Sequence, residues 1–253
     1  MIVAVSGAGG RMGSLVAEAI RNADDLELGP LYDPGHVGDT IAGETIGGES
    51  DALAAADVVV EFTQPDVVME NLAKWRSLDL HAVVGTSGFD GDRLATLKHQ
   101  WGSGPPNCLV VPNFSIGAVV MMRLAEIAAP HFAAAEIVEM HHDRKVDAPS
   151  GTAIATAARI AAVSEQERAV QSTELIPGAR GAAVGGIPVH AIRLPGLVAH
   201  QQVLFGGRGE TLTIRHDTTD RSAFMPGVLA AVRTVRSLKN PVTVGLETVL
   251  GMA

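Results

Sequence analysis

The chain has 253 residues, 47% of them hydrophobic and 19% charged, enough for one large core or two small ones. Its formal net charge of −9 excludes general binding to nucleic acid or to an anionic membrane surface. No apolar run reaches the ~20 residues of a membrane span, and the one cysteine, Cys108, cannot close an internal disulfide.

In chain order, Ile2-Val3-Ala4-Val5 is a short apolar run, so the first residues read as a strand and turn and not as a secretion signal. Gly7-Ala8-Gly9-Gly10-Arg11-Met12-Gly13 follows, and then LVAEAI at helical spacing. Glycines let a backbone turn tightly and let a diphosphate come close; a helix N-terminus adds N–H groups and positive potential. The spacing is G-x-x-G-x-x-G and not the strict G-x-G-x-x-G, and a glycine-rich turn with no ligand has the same look. Its strand–helix setting favours a dinucleotide site. So does Asp33, twenty residues beyond Gly13 at the end of a second strand over 26–32, where an acid binds an adenine ribose. The alternative for Asp33 is a turn residue before Pro34-Gly35.

The alternation continues. DVVVEF at 57–62 reads as a buried strand, and Thr63-Gln64-Pro65 as the opening of a helix that reaches Leu78. A strand over 81–84 ends in Gly85-Thr86-Ser87-Gly88, a helix spans 90–101, and a strand over 108–111 ends in Val111-Pro112-Asn113-Phe114-Ser115. Cys108 lies in that apolar run and reads as a buried thiol in a reducing compartment, the cytoplasm. Strands alternating with helices imply a parallel sheet covered on both faces, with ligands beyond the carboxyl ends of the strands. The glycine turn, Asp33, Gly85–Ser87 and Pro112–Phe114 all follow strand ends.

The second half changes character. Residues 116–129, with Met121, Met122, Leu124 and Ile127, read as a buried helix whose methionines fill the core. A strand leads into the paired histidines His141 and His142, Lys145 follows, and Asp147-Ala148-Pro149 turns the chain into Ser150-Gly151-Thr152, the start of an alanine-rich helix to 162. The segment 163–187 reads as a mobile loop. Three strand-like runs at 187–194, 198–205 and 211–215 imply an antiparallel or mixed sheet. A long helix over 221–238 closes the chain, with Pro226 near its first turns. Two domains result, and a small domain with open sheet edges and faces implies association of subunits.

Each reactive residue has a bland reading alone: histidines as strand-end rim residues, Lys145 as a surface charge, Ser150 as a helix cap. Together they read as an anion and proton site. Period-two alternation puts Glu139 and His141 on one strand face, so Glu139 is placed to orient His141. Ser150, Gly151 and Thr152 offer N–H groups and hydroxyls to a carboxylate or phosphate, Lys145 a charge and a proton, and an imidazole transfers protons near neutral pH. There is no H-E-x-x-H, no cysteine ligand set, no G-x-S-x-G elbow and no Walker loop, so no metal is expected.

Four stretches, VSGAGGRMG at 5–13, VVGTSGFD at 83–90, VPNFSIG at 111–117 and EMHHDRKVDAPSGTA at 139–153, resemble the 4-hydroxy-tetrahydrodipicolinate (dihydrodipicolinate) reductase family. The resemblance implies a Rossmann-type dinucleotide-binding domain of 1–114 plus 221–253. Residues 115–220 would form a second α+β domain with a mixed open sheet, for substrate binding and tetramerisation. It implies a cytoplasmic homotetramer that reduces a small cyclic dicarboxylate with NADH or NADPH, on the route to diaminopimelate and lysine. By position, His141 and Lys145 match the family's proton donors, and His142, Gly151 and Thr152, beside Ser150, its substrate ligands. Gly7, Ala8, Gly9, Gly10, Arg11, Met12, Asp33, Gly85, Thr86, Ser87, Val111, Pro112, Asn113 and Phe114 match its cofactor contacts. Two departures stand out. Ser87 replaces the second threonine of the usual G-T-T-G, keeping the hydroxyl. Pro34 takes the place where some relatives carry a basic residue for the 2′-phosphate, which tilts the expectation towards NADH or dual use. The rival readings are a same-fold oxidoreductase acting on another small carboxylate and a non-catalytic dinucleotide-binding regulator.

Overall fold

The structure, a computed structural model, describes residues 1–164 and 172–252. It divides into two compact units, Met1–Ser115 with Phe224–Ala253, and Ile116–Ala223. The expected loop at 163–187 lies partly on 165–171, outside the described residues; its last part contains a short strand, β9 below.

Through the first unit the chain forms β1 (Ile2–Ser6), α1 (Arg11–Arg21), β2 (Glu27–Tyr32), β3 (Thr40–Ile41), β4 (Glu44–Gly47), β5 (Val58–Glu61), α2 (Val68–Ser77), β6 (His81–Val84), α3 (Gly91–Trp101) and β7 (Cys108–Val110). The second unit follows with α4 (Ile116–Ala128), β8 (Ala134–His141), α5 (Gly151–Val163), β9 (Ala182–Val184), β10 (Ile187–Arg193), β11 (Ala199–Gly207) and β12 (Glu210–Thr218). The chain then returns to the first unit as α6 (Met225–Thr234) and β13 (Val242–Val244).

In the first unit the strand order is β13-β7-β6-β5-β1-β2-β4-β3, parallel throughout except for the β3–β4 pair. This is a Rossmann-type sheet. Its central strands are apolar on both faces, and Val3 to Val5, Val58 to Val60 and Ala82 to Val84 are all wholly buried. One side of the core gathers Val59, Leu72, Trp75, Leu97, Trp101 and Cys108. The Cys108 thiol is buried there, and desolvation pushes its ionisation far up. Strand β1 has β2 on one side and β5 on the other, so the order reverses at β1 and the turn after it sits at the switch point.

The second unit is a mixed sheet, β12-β11-β8-β10-β9, in which β8 runs parallel to β10 and antiparallel to β11. Burial along β8 alternates strictly up to Glu139, with Ala135, Ile137 and Glu139 inward. That inner row packs with Ala125 of α4 and with Ala153, Ala157 and Ile160 of α5.

Three local expectations change. Helix α2 begins at Val68 and not at Thr63: the Thr63 N–H is tied back to Glu61 and the Pro65 carbonyl is taken by Arg93, so the first helical turn closes only on Gln64. The helix over 221–238 is a short 3-10 turn, then α6, then another 3-10 turn. Pro226 has no N–H to continue an α-helix from 222. In α4, Met121 and Met122 are buried, whereas Leu124 and Ile127 are 48% and 56% exposed because they fall on the opposite side of the helix.

Candidate active site

The first unit carries a cradle at the carboxyl edge of its sheet. After β1, Gly7 adopts φ +79° and its N–H donates to Tyr32 O at 2.8 Å, which turns the chain sharply against the end of β2. A Cβ at Gly13 would lie 2.0 Å from Gly7 O, so the turn and the first coil of α1 meet backbone to backbone. Gly10 caps α1 without a side-chain bond, and the first intrahelical donor is Ser14 N, to Gly10 O at 3.0 Å. The N–H groups ahead of it have no partner within the helix and carry its positive end. This is a good fit to a dinucleotide diphosphate.

Asp33, just past β2, is fixed by two amides: Oδ2 accepts from Gly9 N and Oδ1 from Gly35 N, each at 3.0 Å. Its remaining lone pairs suit the hydroxyls of a ribose. The His36 ring, 3.1 Å from Asp33 Oδ2, covers Gly9 so closely that a Cβ there would lie 2.2 Å from its Cγ. Sequence reading missed His36; only its short distance from Asp33 hinted at it. Arg11, at the start of α1, is exposed.

The other strand-end residues join the same edge. A Cβ at Gly85 would lie 2.1 Å from the Phe62 ring and 2.8 Å from the Phe114 ring, and those two rings stand 5.5 Å apart, tilted by 47°. Thr86 is buried and donates to Glu61 O and Thr63 O, whereas Ser87 and Pro112 are exposed. Val111 N donates to Val84 O at 2.9 Å, and Asn113 Oδ1 accepts from Ser115 N at 2.9 Å. Beneath them lies a residue that sequence reading missed, the buried carboxylate of Glu61. It accepts from Trp75 Nε1 at 2.8 Å, from Asn71 and from both the N–H and the hydroxyl of Thr63. An acid closing an otherwise apolar buried run was the available signal.

The second unit brings Glu139, His141, Ser150 and a further residue, Arg193, to one end of its sheet. Glu139 has no exposed side-chain surface. Its Oε1 accepts from Ser150 N at 3.0 Å and from Arg193 Nη2 at 2.8 Å. Its Oε2 accepts from Arg193 Nη1 at 2.8 Å and stands 2.5 Å from His141 Nδ1. Arg193 ends β10 directly beside His141 in the parallel register, and its Nη2 also donates to Asp147 O at 2.5 Å. Burial works to raise the Glu139 pKa, but the hydrogen bonds from Arg193 and His141 outweigh it and hold the carboxyl below its ordinary range. For His141 burial wins: desolvation lowers the imidazole pKa, and the Glu139 hydrogen bond offsets only part of this.

Ser150 caps α5, its Oγ accepting from Ala153 N at 3.2 Å. Gly151 opens the helix in an exposed position, and a Cβ there would meet nothing within 4 Å. Thr152 O accepts from Thr156 Oγ1, which accepts in turn from Gln201 Nε2 at 2.7 Å, tying α5 to β11. His142 Nδ1 is buried without a hydrogen-bond partner. Lys145 Nζ spans both oxygens of Asp147, at 2.7 and 2.8 Å, and that bond lowers the Asp147 pKa. Among the described residues no group of three or more His, Cys, Asp or Glu side chains is arranged to hold a metal, and no helix is long and apolar enough to cross a membrane.

A family model described as Dihydrodipicolinate reductase, N-terminus, matches residues 1–114, and one described as Dihydrodipicolinate reductase, C-terminus, matches residues 117–250. The chain belongs to the dihydrodipicolinate reductase family. A 4-hydroxy-tetrahydrodipicolinate reductase of Cutibacterium acnes is 52% identical to it, with 99% of this chain and 98% of the relative covered. One of Mycobacterium marinum is 48% identical, with 100% of both covered. Among solved structures, a dipicolinate-bound dihydrodipicolinate reductase from Paenisporosarcina sp. TG-14 aligns with a TM-score of 0.86 at 37% identity, over 98% of each chain. The dihydrodipicolinate reductase family is pyridine-nucleotide-dependent, and the Rossmann-type unit with its glycine cradle is the part of this chain suited to such a cofactor.

Proposed function

We propose that the chain reduces 4-hydroxy-tetrahydrodipicolinate to tetrahydrodipicolinate with NADH or NADPH, in the formation of diaminopimelate and lysine. One observation carries this reading: the Glu139 carboxylate gathers an imidazole and the start of α5 at one sheet end, in a chain 52% identical along its length to a reductase of that name. Bound NADH or NADPH supplies the hydride. In the overall change one hydride is added to the ring, and the ring hydroxyl leaves with one proton as water.

The residues divide the remaining work. Gly7, Ala8, Gly9, Gly10, Arg11 and Met12 receive the diphosphate and Asp33 the adenine ribose. Gly85, Thr86, Ser87, Val111, Pro112, Asn113 and Phe114 line the rest of the cofactor site. One substrate carboxylate rests on Ser150, Gly151 and Thr152 at the start of α5, where charge-assisted hydrogen bonds contribute about 1.5–3 kcal/mol each, and His142 lies beside it. Lys145, released from Asp147, delivers the proton, and His141 relays protons at Nε2. The lowered pKa of His141 suits a relay better than a resting acid. NADH is favoured over NADPH: Asp33 repels a 2′-phosphate and Pro34 adds no charge, while Arg11 and His36 keep dual use open.

The proposed setting is the cytoplasm and the proposed assembly a homotetramer. Val138, Met140, Ile192 and Leu204, on the sheet face away from α5, supply apolar surface for it. The test is calorimetric binding of pyridine-2,6-dicarboxylate, a planar stand-in for the substrate. Binding that is lost in Thr152→Val supports the reading; absence of binding to the wild type points to a same-fold oxidoreductase for another carboxylate.

A further inference from the structure

Glu139 is a buried, ionised side chain with no direct call on substrate or cofactor. A tie between β8, β10 and α5 needs hydrogen bonds but no charge, and a buried ion pair is weak evidence of stabilisation. The Glu139–Arg193 pair therefore calls for another account. The groups facing His141 are Glu139 on its own strand, Arg193 on β10 and Lys145 on the following loop. Of these, Glu139 hydrogen-bonds the ring, at Nδ1, while Lys145 and Arg193 act on it through their charge.

We infer that Glu139, locked by Arg193, is a positioning residue for both halves of the substrate site. It fixes His141 as the Nδ1–H tautomer with Nε2 as the proton-exchanging atom, and it anchors the α5 turn that receives the substrate carboxylate. This rests on the roles given above to His141 and α5. A carboxylate only accepts, so the ring nitrogen 2.5 Å from Oε2 carries the hydrogen. Arg193 donates to both carboxylate oxygens, and these bonds hold Glu139 in its ionised form, so it does not compete for the proton in transit. Ser150 N on Oε1 fixes the start of α5 from the same carboxylate. The Arg193 bond to Asp147 O fixes the loop that carries Lys145. One buried pair thus holds the relay, the anion clamp and the donor loop in one register.

The experiment is long-range imidazole 15N–1H spectroscopy on the full-length free protein, with the His141 signals assigned from His141→Gln. The wild type should show Nδ1–H. In Glu139→Gln the amide oxygen stays with Arg193 and Ser150, the amide NH2 turns to the ring, and His141 should switch to Nε2–H. The same variant should lose about 10²-fold or more in kcat, as expected for a misplaced tautomer, with its NADH titration unchanged. Glu139→Asp, which keeps the charge, should restore the Nδ1–H form. An Nε2–H wild type, or a Glu139→Gln protein with unchanged tautomer and kcat, overturns the inference. Should Glu139→Gln fail to fold, the wild-type spectrum and that of Arg193→Lys, expected to remain Nδ1–H, decide it. A wild type that shows the expected tautomer and switch but no turnover would sink the reductase reading and leave the positioning geometry standing.

Discussion

Replacing Arg193 by leucine isolates the electrostatic centre of the second unit. The substitution removes two N–H···O bonds of 2.8 Å from Glu139, whose side chain is wholly buried, while Arg193 itself is 19% exposed. Breaking a buried pair from one side costs about 3–5 kcal/mol. Ser150 N and His141 remain as partners, so a value near the lower end, about 3 kcal/mol, is expected. The pH dependence has a definite sign. In the wild type the Glu139 pKa is lowered, so its contribution is full above the unfolded-state value and fades as pH falls towards the folded one. Without Arg193 the largest cause that opposes burial is gone, and the folded pKa of Glu139 should rise. The variant's penalty is then relieved as pH falls through that raised value. Urea unfolding at about pH 8 and about pH 5 should show a gap that narrows towards acid. A loss under about 1 kcal/mol at the higher pH, or a gap that widens towards acid, refutes the reasoning.

Lys145→Ala should lower kcat by about 10²–10⁴-fold, the usual contribution of a general acid, and leave NADH binding as it is; stopped-flow turnover with fluorescence titration checks both. Gly13→Ala puts a Cβ 2.0 Å from Gly7 O, more than an ångström inside ordinary contact and against backbone. It should cost about 1–3 kcal/mol and weaken NADH binding about tenfold or more, since each factor of ten needs only ~1.4 kcal/mol. Gly151→Ala meets no atom within 4 Å and should leave the unfolding temperature unchanged; thermal scans separate the two glycines.

What could be read in the sequence was local. The strand, glycine turn and helix at 2–21 are signalled by consecutive residues, and the histidines, Lys145 and the Ser150 cap lie within one short segment. Glu139 came into view because side chains alternate along a strand. Arg193 did not, because it meets Glu139 only through the parallel pairing of β8 with β10, across 54 residues. Glu61 was hidden for the same reason: Trp75 and Asn71 reach it from α2. The late start of α2 was likewise set by tertiary partners, since Arg93 holds the Pro65 carbonyl from α3. Propensity and pattern carry no information on such pairings.

The most direct test is the oxidation of NADH and of NADPH followed at 340 nm, a wavelength at which only the reduced cofactors absorb, with 4-hydroxy-tetrahydrodipicolinate generated in place by its synthase. The account predicts substrate-dependent oxidation of both, faster with NADH at low concentration, and slowed by about 10²–10⁴-fold in Lys145→Ala. No oxidation of either cofactor by the wild type, with the substrate shown to be present, would contradict it.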